Sequence, residues 1–182
     1  MNLADLKDLF RHMQWADAEV WQAVLAAPAA RTDETLRRLL LHLHVVQRAF
    51  LDVWQERPLV FPDVSEFPDV AQIQMWASPY YAAATAFLDA LDGAALARPV
   101  IMPWAEDFAK QLGIAPVAPT LGETFFQVTS HSTYHRGQVN MRLRAVGGEP
   151  PLVDYIAWVW FGRPASGSPM RPAATHPRDG DA

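Results

Sequence analysis

The chain has no cysteine in its 182 residues. That excludes a thiolate nucleophile, a disulfide scaffold and a cysteine-ligated metal, and it fits a reducing compartment. Basic residues are the minority: 15 Lys and Arg face 20 Asp and Glu, for a formal net charge of −5. Nucleic acid is therefore not an expected partner, because it calls for a basic face. No apolar run approaches the roughly 18 residues of a membrane span. The opening MNLADLKDLF lacks the basic-then-apolar order of a secretory signal. A cytoplasmic protein with no membrane partner is the expectation. Several catalytic signatures are missing too. There is no HExxH, no Glu-x-x-His, no G-x-S-x-G, no P-loop and no G-x-G-x-x-G. Zincin, ferritin-like di-iron, serine hydrolase, NTPase and dinucleotide chemistries are unsupported.

What is present is helical. Hydrophobic residues make up 51% of the chain and charged residues 19%, a globular balance long enough to bury one domain's core. At about 100° per residue, Leu3, Leu6, Leu9, Phe10, Met13, Val20, Trp21 and Val24 form one stripe of a first helix over 2–27, which Pro28 ends. A second helix is predicted over 33–57, with Thr32 or Asp33 as N-cap and Pro58 beyond its end. A third spans 69–92, where Pro79 either kinks it or opens a new helix capped by Ser78. Residues 93–119, with four prolines, read as an irregular connection holding one helical turn in PWAEDFAKQLG. A connection of that length usually wraps a functional site. Thr120 and Glu123 make a capping box for a fourth helix that runs to Val146 and stops at Gly147-Gly148. A short apolar helix over 152–162 follows, and from Arg163 the Pro-rich composition predicts a flexible tail over 163–182. The expected fold is all-α: a four-helix bundle over 1–162 with a short extra C-terminal helix.

The chemistry concentrates in HSTYHRGQ, where His131 and His135 are four residues apart on the fourth helix and share a face. Relative to the stripe Leu121, Phe125, Val128, Val139, Leu143 and Val146, both border the interior, in a sector shared with Gln138. On the second helix the stripe Leu39, Leu43, Val46, Phe50 and Val53 predicts that His42 points inward and His44 away. His12 lies off the first-helix stripe, and His176 falls in the tail. His42, His131 and His135 are thus candidates for one ion in the interior. Three neutral imidazoles suit Zn²⁺, Ni²⁺, Fe²⁺ or Cu²⁺ and leave a position open for water or substrate. The dull alternative is three separately hydrogen-bonded histidines. Asp17 sits on the first-helix stripe, where it either bonds a neighbouring side chain or acts at the site, orienting a ligand histidine or accepting a proton. Tyr134 and Arg136 have weaker claims. Trp104 and Phe108, in the long connection, and Gln138 are candidates for the substrate pocket.

These residues resemble a known family. HSTYHRGQV is similar to the HxxxHRGQ signature of the DinB-like (YfiT-like) superfamily of metal-binding four-helix bundles. LLLHLHVVQRAFL resembles its second-helix motif, a histidine followed eight residues later by an aromatic, which registers His42 rather than His44 as the third ligand. QWADAEVW resembles the first-helix motif, with Asp17 where asparagine is frequent, and GGEPPLVDYI resembles the segment after the last bundle helix. The resemblance spans residues 1–161. It implies an up-down-down-up bundle, often dimeric, holding one divalent metal on His42, His131 and His135, with zinc or nickel usual and iron or manganese also suited. It also implies metal-dependent thiol S-transferases using bacillithiol, mycothiol or glutathione, and the mycothiol-dependent maleylpyruvate isomerase, among relatives many of which have no assigned activity. Three functions stay open: a transferase activating a small thiol, a hydrolase activating water, and a non-catalytic metal-binding stress-response bundle.

Overall fold

A computed structural model describes residues 2–167, and residues 168–182 of the predicted tail, His176 among them, lie outside them. Seven α-helices follow one another: α1 (Leu3–Ala26), α2 (Glu34–Trp54), α3 (Val70–Ala77), α4 (Pro79–Asp89), α5 (Ala105–Leu112), α6 (Leu121–Ala145) and α7 (Tyr155–Trp160). The β-structure among the described residues is one isolated bridge, Pro99 to Thr120.

The ends of these helices follow from local chemistry. Asn2 and Asp5 form a reciprocal capping box on α1, and Thr120 and Glu123 form the expected one on α6. Asp33, not Thr32, caps α2 by accepting from the Leu36 N–H at 2.8 Å. That helix stops at Trp54, three residues before the predicted end. Glu56 turns to φ 54°, its N–H bonds to the Val53 carbonyl, and the Arg57 N–H bonds to that of Asp52 at 2.8 Å. These are the paired bonds of a Schellman cap, here with glutamate in the left-handed position. The same cap ends α6, where Gly147 (φ 86°) bonds Arg144 and Gly148 bonds Leu143.

The third predicted helix divides into α3 and α4. Pro79 takes the first position of α4, but Ser78 stays in the right-handed helical region and its hydroxyl donates back to the Met75 carbonyl. Of the two alternatives at Pro79, a new helix does open there, but without the side-chain cap expected from Ser78. The helical hydrogen bonding is interrupted there because Pro79 has no N–H to give the preceding turn. In the long connection, the predicted single turn is an eight-residue helix, α5, ended by Gly113 in the left-handed region. The last helix, α7, is confined to Tyr155–Trp160.

Side-chain contacts fix the helix directions. Phe10 packs edge-on against Phe125, and Asp17 pairs with Arg136, so α1 and α6 run the same way. Asp33 pairs with Arg142 and Trp54 bonds Thr124, so α2 runs against α6. Lys7 reaches Asp89 while Tyr81 reaches Asp17, so α4 runs against α1. The apolar core falls into two main clusters. One gathers Leu6, Phe10, Phe50, Trp54, Tyr80, Leu88 and Phe125. The other gathers Val20, Val24, Leu36, Leu40, Ile73, Val139 and Leu143. A small third cluster seats Trp158 of α7 on Trp15 and Ala16.

Candidate metal centre

The antiparallel pairing of α2 with α6 brings three histidines together. His42 lies on α2, and His131 and His135 lie one turn apart on α6. One ring nitrogen from each falls within 4.8 Å of the others. Ring centroids are 4.5 Å apart for His42 and His135, 5.1 Å for His42 and His131, and 4.1 Å for the α6 pair. Among the described residues this is the group of His, Asp and Glu side chains whose geometry can hold a metal ion, and no carboxylate belongs to it.

The donors suit a divalent transition metal. Burial, then the proximity of His135 and His42, pushes the His131 imidazole down to about 4, and burial followed by His135 lowers that of His42. Both rings are therefore neutral near pH 7, the form that ligates. The His131 Nδ1 atom is buried without a hydrogen-bond partner. Leaving such a group unsatisfied costs about 1–3 kcal/mol, which a bound ion would relieve. His135 Nδ1 lies 2.7 Å from Gln138 Oε1. An amide oxygen accepts, so Nδ1 carries the proton and Nε2 is left with a free lone pair. Gln138, expected in the substrate pocket, instead stands behind His135 and fixes its tautomer.

The burial of α2 overturns one expectation. His44 is buried at 2% exposure, whereas His42 is exposed. The face that α2 buries runs through Leu36, Leu40, Leu43, Gln47, Leu51 and Trp54, about 80° round the helix from the predicted stripe, with Leu43 common to both. Gln47 and His44 occupy that face, and their polarity disguises it in the sequence. His42 meets the α6 pair at the solvent-facing seam between the helices, not in the bundle interior.

The interior at this level is instead a polar layer. Arg136 Nη1 donates to Asp17 Oδ1 at 2.6 Å, and Gln47 Nε2 donates to Asp17 Oδ2 at 2.8 Å and Ser132 Oγ at 3.1 Å. The Tyr81 hydroxyl donates to Asp17 as well. Trp21 Nε1 donates to His44 Nε2 at 2.9 Å, and His44 Nδ1 in turn donates to Gln47 Oε1 at 2.8 Å. Burial pushes the Asp17 carboxyl up, but the Arg136 guanidinium with the Tyr81 and Gln47 bonds holds it below the ordinary carboxylate range. Burial lowers His44 and keeps it neutral. Asp17 thus spends its oxygens on Arg136, Gln47 and Tyr81 and makes no hydrogen bond to His42, His131 or His135. The expectation that it orients a ligand histidine is corrected in favour of the structural alternative. His12, expected off the core, is also buried. Its Nε2 lies 2.9 Å from the Val153 carbonyl, and Trp158 and Tyr155 cover the ring, because the segment after α6 folds back over that side.

A pocket of about 370 Å³ opens beside the triad. His42 and His131 form one end, and Val46, Phe50, Phe61, Trp104, Phe108 and Gln127 enclose most of the rest. The long connection thus delivers Trp104 and Phe108 to the site, with Trp104 standing edge-on to Phe50 at 5.3 Å. Tyr134 packs edge-on to His135 on the outer surface. Phe61 and Gln127 carry no signal in the sequence, nor do Gln47, Ser132 and Tyr81 of the polar layer, whereas Asp17 does. Phe61 lies in a Pro-rich loop without periodicity, and Gln127 has no distinguishing neighbour. Arg136 carried a signal in its position on the apolar stripe of α6.

A search of curated proteins finds no match. The family model for DinB matches residues 1–164, which include every helix described and all three histidines of the centre, and the chain belongs to the DinB family.

Proposed function

We propose that this chain is a metal-dependent S-transferase that joins a low-molecular-weight thiol to a small acceptor. It uses one divalent ion, zinc or nickel for preference and iron or manganese on the same donors, held by His42, His131 and His135. The observation that carries the reading is a three-histidine cluster whose open side meets a pocket. A structural zinc is closed by four protein ligands, whereas a catalytic one keeps a place free. Such an ion lowers the pKa of a bound thiol and supplies a thiolate at neutral pH. The protein's own contributions are specific. His131 stays neutral and ready to ligate, Gln138 presents His135 in the right tautomer, and aromatic side chains line the pocket beside the open position.

Hydrolysis by a metal-bound water is less well supported, because it needs a base. No Asp or Glu lines the pocket, and Asp17 is committed to Arg136. The helix directions further support an up-down-down-up bundle over 1–162, and we read the protein as a cytoplasmic homodimer. Among the described residues no helix is long and apolar enough to cross a membrane.

Protein purified without an affinity tag should carry about one divalent ion per chain by elemental analysis. Loaded protein should conjugate glutathione or another small thiol to monochlorobimane, and His131→Ala should lose both ion and conjugation. Failure of every common low-molecular-weight thiol with fully loaded protein would sink the transferase. A large fall in Tm for His131→Ala with no activity to lose would assign the ion a purely structural role.

A further inference from the structure

The geometry points to a substrate class: we infer that the pocket beside the histidine cluster receives an uncharged, flat aromatic group and discriminates against an anionic one. This rests on the metal reading for the location of the reacting atom, but the pocket's selectivity is a property of its own walls. None of its lining residues is Asp, Glu, Lys or Arg. The polar side-chain groups on offer are the two imidazoles at the metal end, the Trp104 indole N–H and the Gln127 amide, and none of them is a permanent charge. Away from the ion at the histidine end, a carboxylate or phosphate seated among these walls would leave water and find no cationic side chain to pair with, and an unpaired buried charge is strongly disfavoured.

The walls are instead aromatic. Phe50, Phe61, Trp104 and Phe108 come from α2, the loop after it and the α5 region, three segments that converge at this place. Ring faces and edges favour another ring in offset or edge-on contact. The volume of about 370 Å³ lies at the small end of ligand-sized pockets. Two of the rings are left wet. Phe61 is 60% exposed and Phe108 58% exposed, and they stand at the mouth on separate segments. α5 buries none of its own residues, so Phe108 is not held out as a by-product of packing that helix into the core. An aromatic ligand would cover both phenyl rings together.

Two measurements on the full-length protein test the inference. The first uses metal-free protein and follows ring-proton NMR resonances of Phe61, Trp104 and Phe108. Benzyl alcohol should shift all three in a saturable manner, and benzoate should not. The second uses Co²⁺-loaded protein, whose visible spectrum reports ligands at the ion. 4-Phenylimidazole should bind at least tenfold more tightly than imidazole, and 4-(imidazol-4-yl)benzoate no better than imidazole. Phe108→Ala should reduce the phenylimidazole preference at least threefold, while Phe126→Ala, away from this pocket, should leave it intact. Equal shifts by benzoate, no shifts at all, or equal affinities for imidazole and 4-phenylimidazole would overturn the inference. Absence of a Co²⁺ spectrum would overturn the metal reading alone, and the NMR result then decides the pocket independently.

Discussion

Asp17 and Arg136 are each 3% exposed, and their ion pair is the most deeply buried in the described structure. Taking both charges out of water is costly, and the cost is met by mutual attraction and by the bonds from Gln47 and Tyr81 to the same carboxylate. Removing one charge strands the other. Asp17→Asn should therefore destabilise the fold by about 3–5 kcal/mol, measurable by urea unfolding. The pH dependence has a definite sign. The folded carboxyl titrates below its ordinary value, so its contribution is fully present above the unfolded pKa and is lost as pH falls through the folded one. Urea midpoints measured from pH 6 down to pH 2 should show a steep acid limb in the native protein and a shallower one in Asp17→Asn. Gln138→Ala should act elsewhere, releasing His135 to adopt either tautomer. Metal affinity measured by chelator competition should weaken about 10-fold or more, with little change in the fold.

At the level of elements, what the sequence discloses depends on whether the chemistry is local. The caps of α6 are legible at both ends, because Thr120-Glu123 and Gly147-Gly148 act on their own backbone. Gly147 holds φ 86°, where a side chain costs about 1–2 kcal/mol. Gly147→Ala should accordingly lower Tm by a few degrees in a calorimetric scan while leaving metal affinity unchanged. The end of α2 escapes prediction because Glu56 adopts the left-handed position without being glycine. The inward face of α2 escapes it for another reason. Periodicity finds burial through apolarity, and this helix buries His44 and Gln47, so the stripe read from Leu39, Val46 and Val53 marks its flank. His42 was nevertheless selected, since that flank is the side turned toward α6. The pair His131 and His135 was plain from spacing alone. Their partner pocket was only half legible: Trp104 and Phe108 stood out in a long connection, whereas Phe61 could be placed only by the fold.

On the scale of the molecule, the two apolar clusters occupy opposite ends of α1, α2 and α6, and the Asp17–Arg136–Gln47–His44 layer separates them. The histidine cluster sits at the same height as that layer, one residue before Ser132 and Arg136 along α6. An ion bridging α2 and α6 there would favour the folded state by mass action, by about 2.7 kcal/mol at 100 times the dissociation constant. Zinc should therefore raise Tm in differential scanning fluorimetry, EDTA should reverse the rise, and His131→Ala should abolish it. The polar layer has a further consequence for how the chain finds its partners. Four helices with apolar stripes can interlock almost as well after sliding one turn past each other, since leucine against leucine carries no address. Here such a slip would drive the Arg136 guanidinium into hydrocarbon and leave Asp17 and Gln47 facing methyl groups. The layer works as the ward of a lock: it contributes little attraction of its own, yet it leaves a single longitudinal setting of α6 against α1 and α2, and that setting is the one in which three imidazoles arrive at the same point.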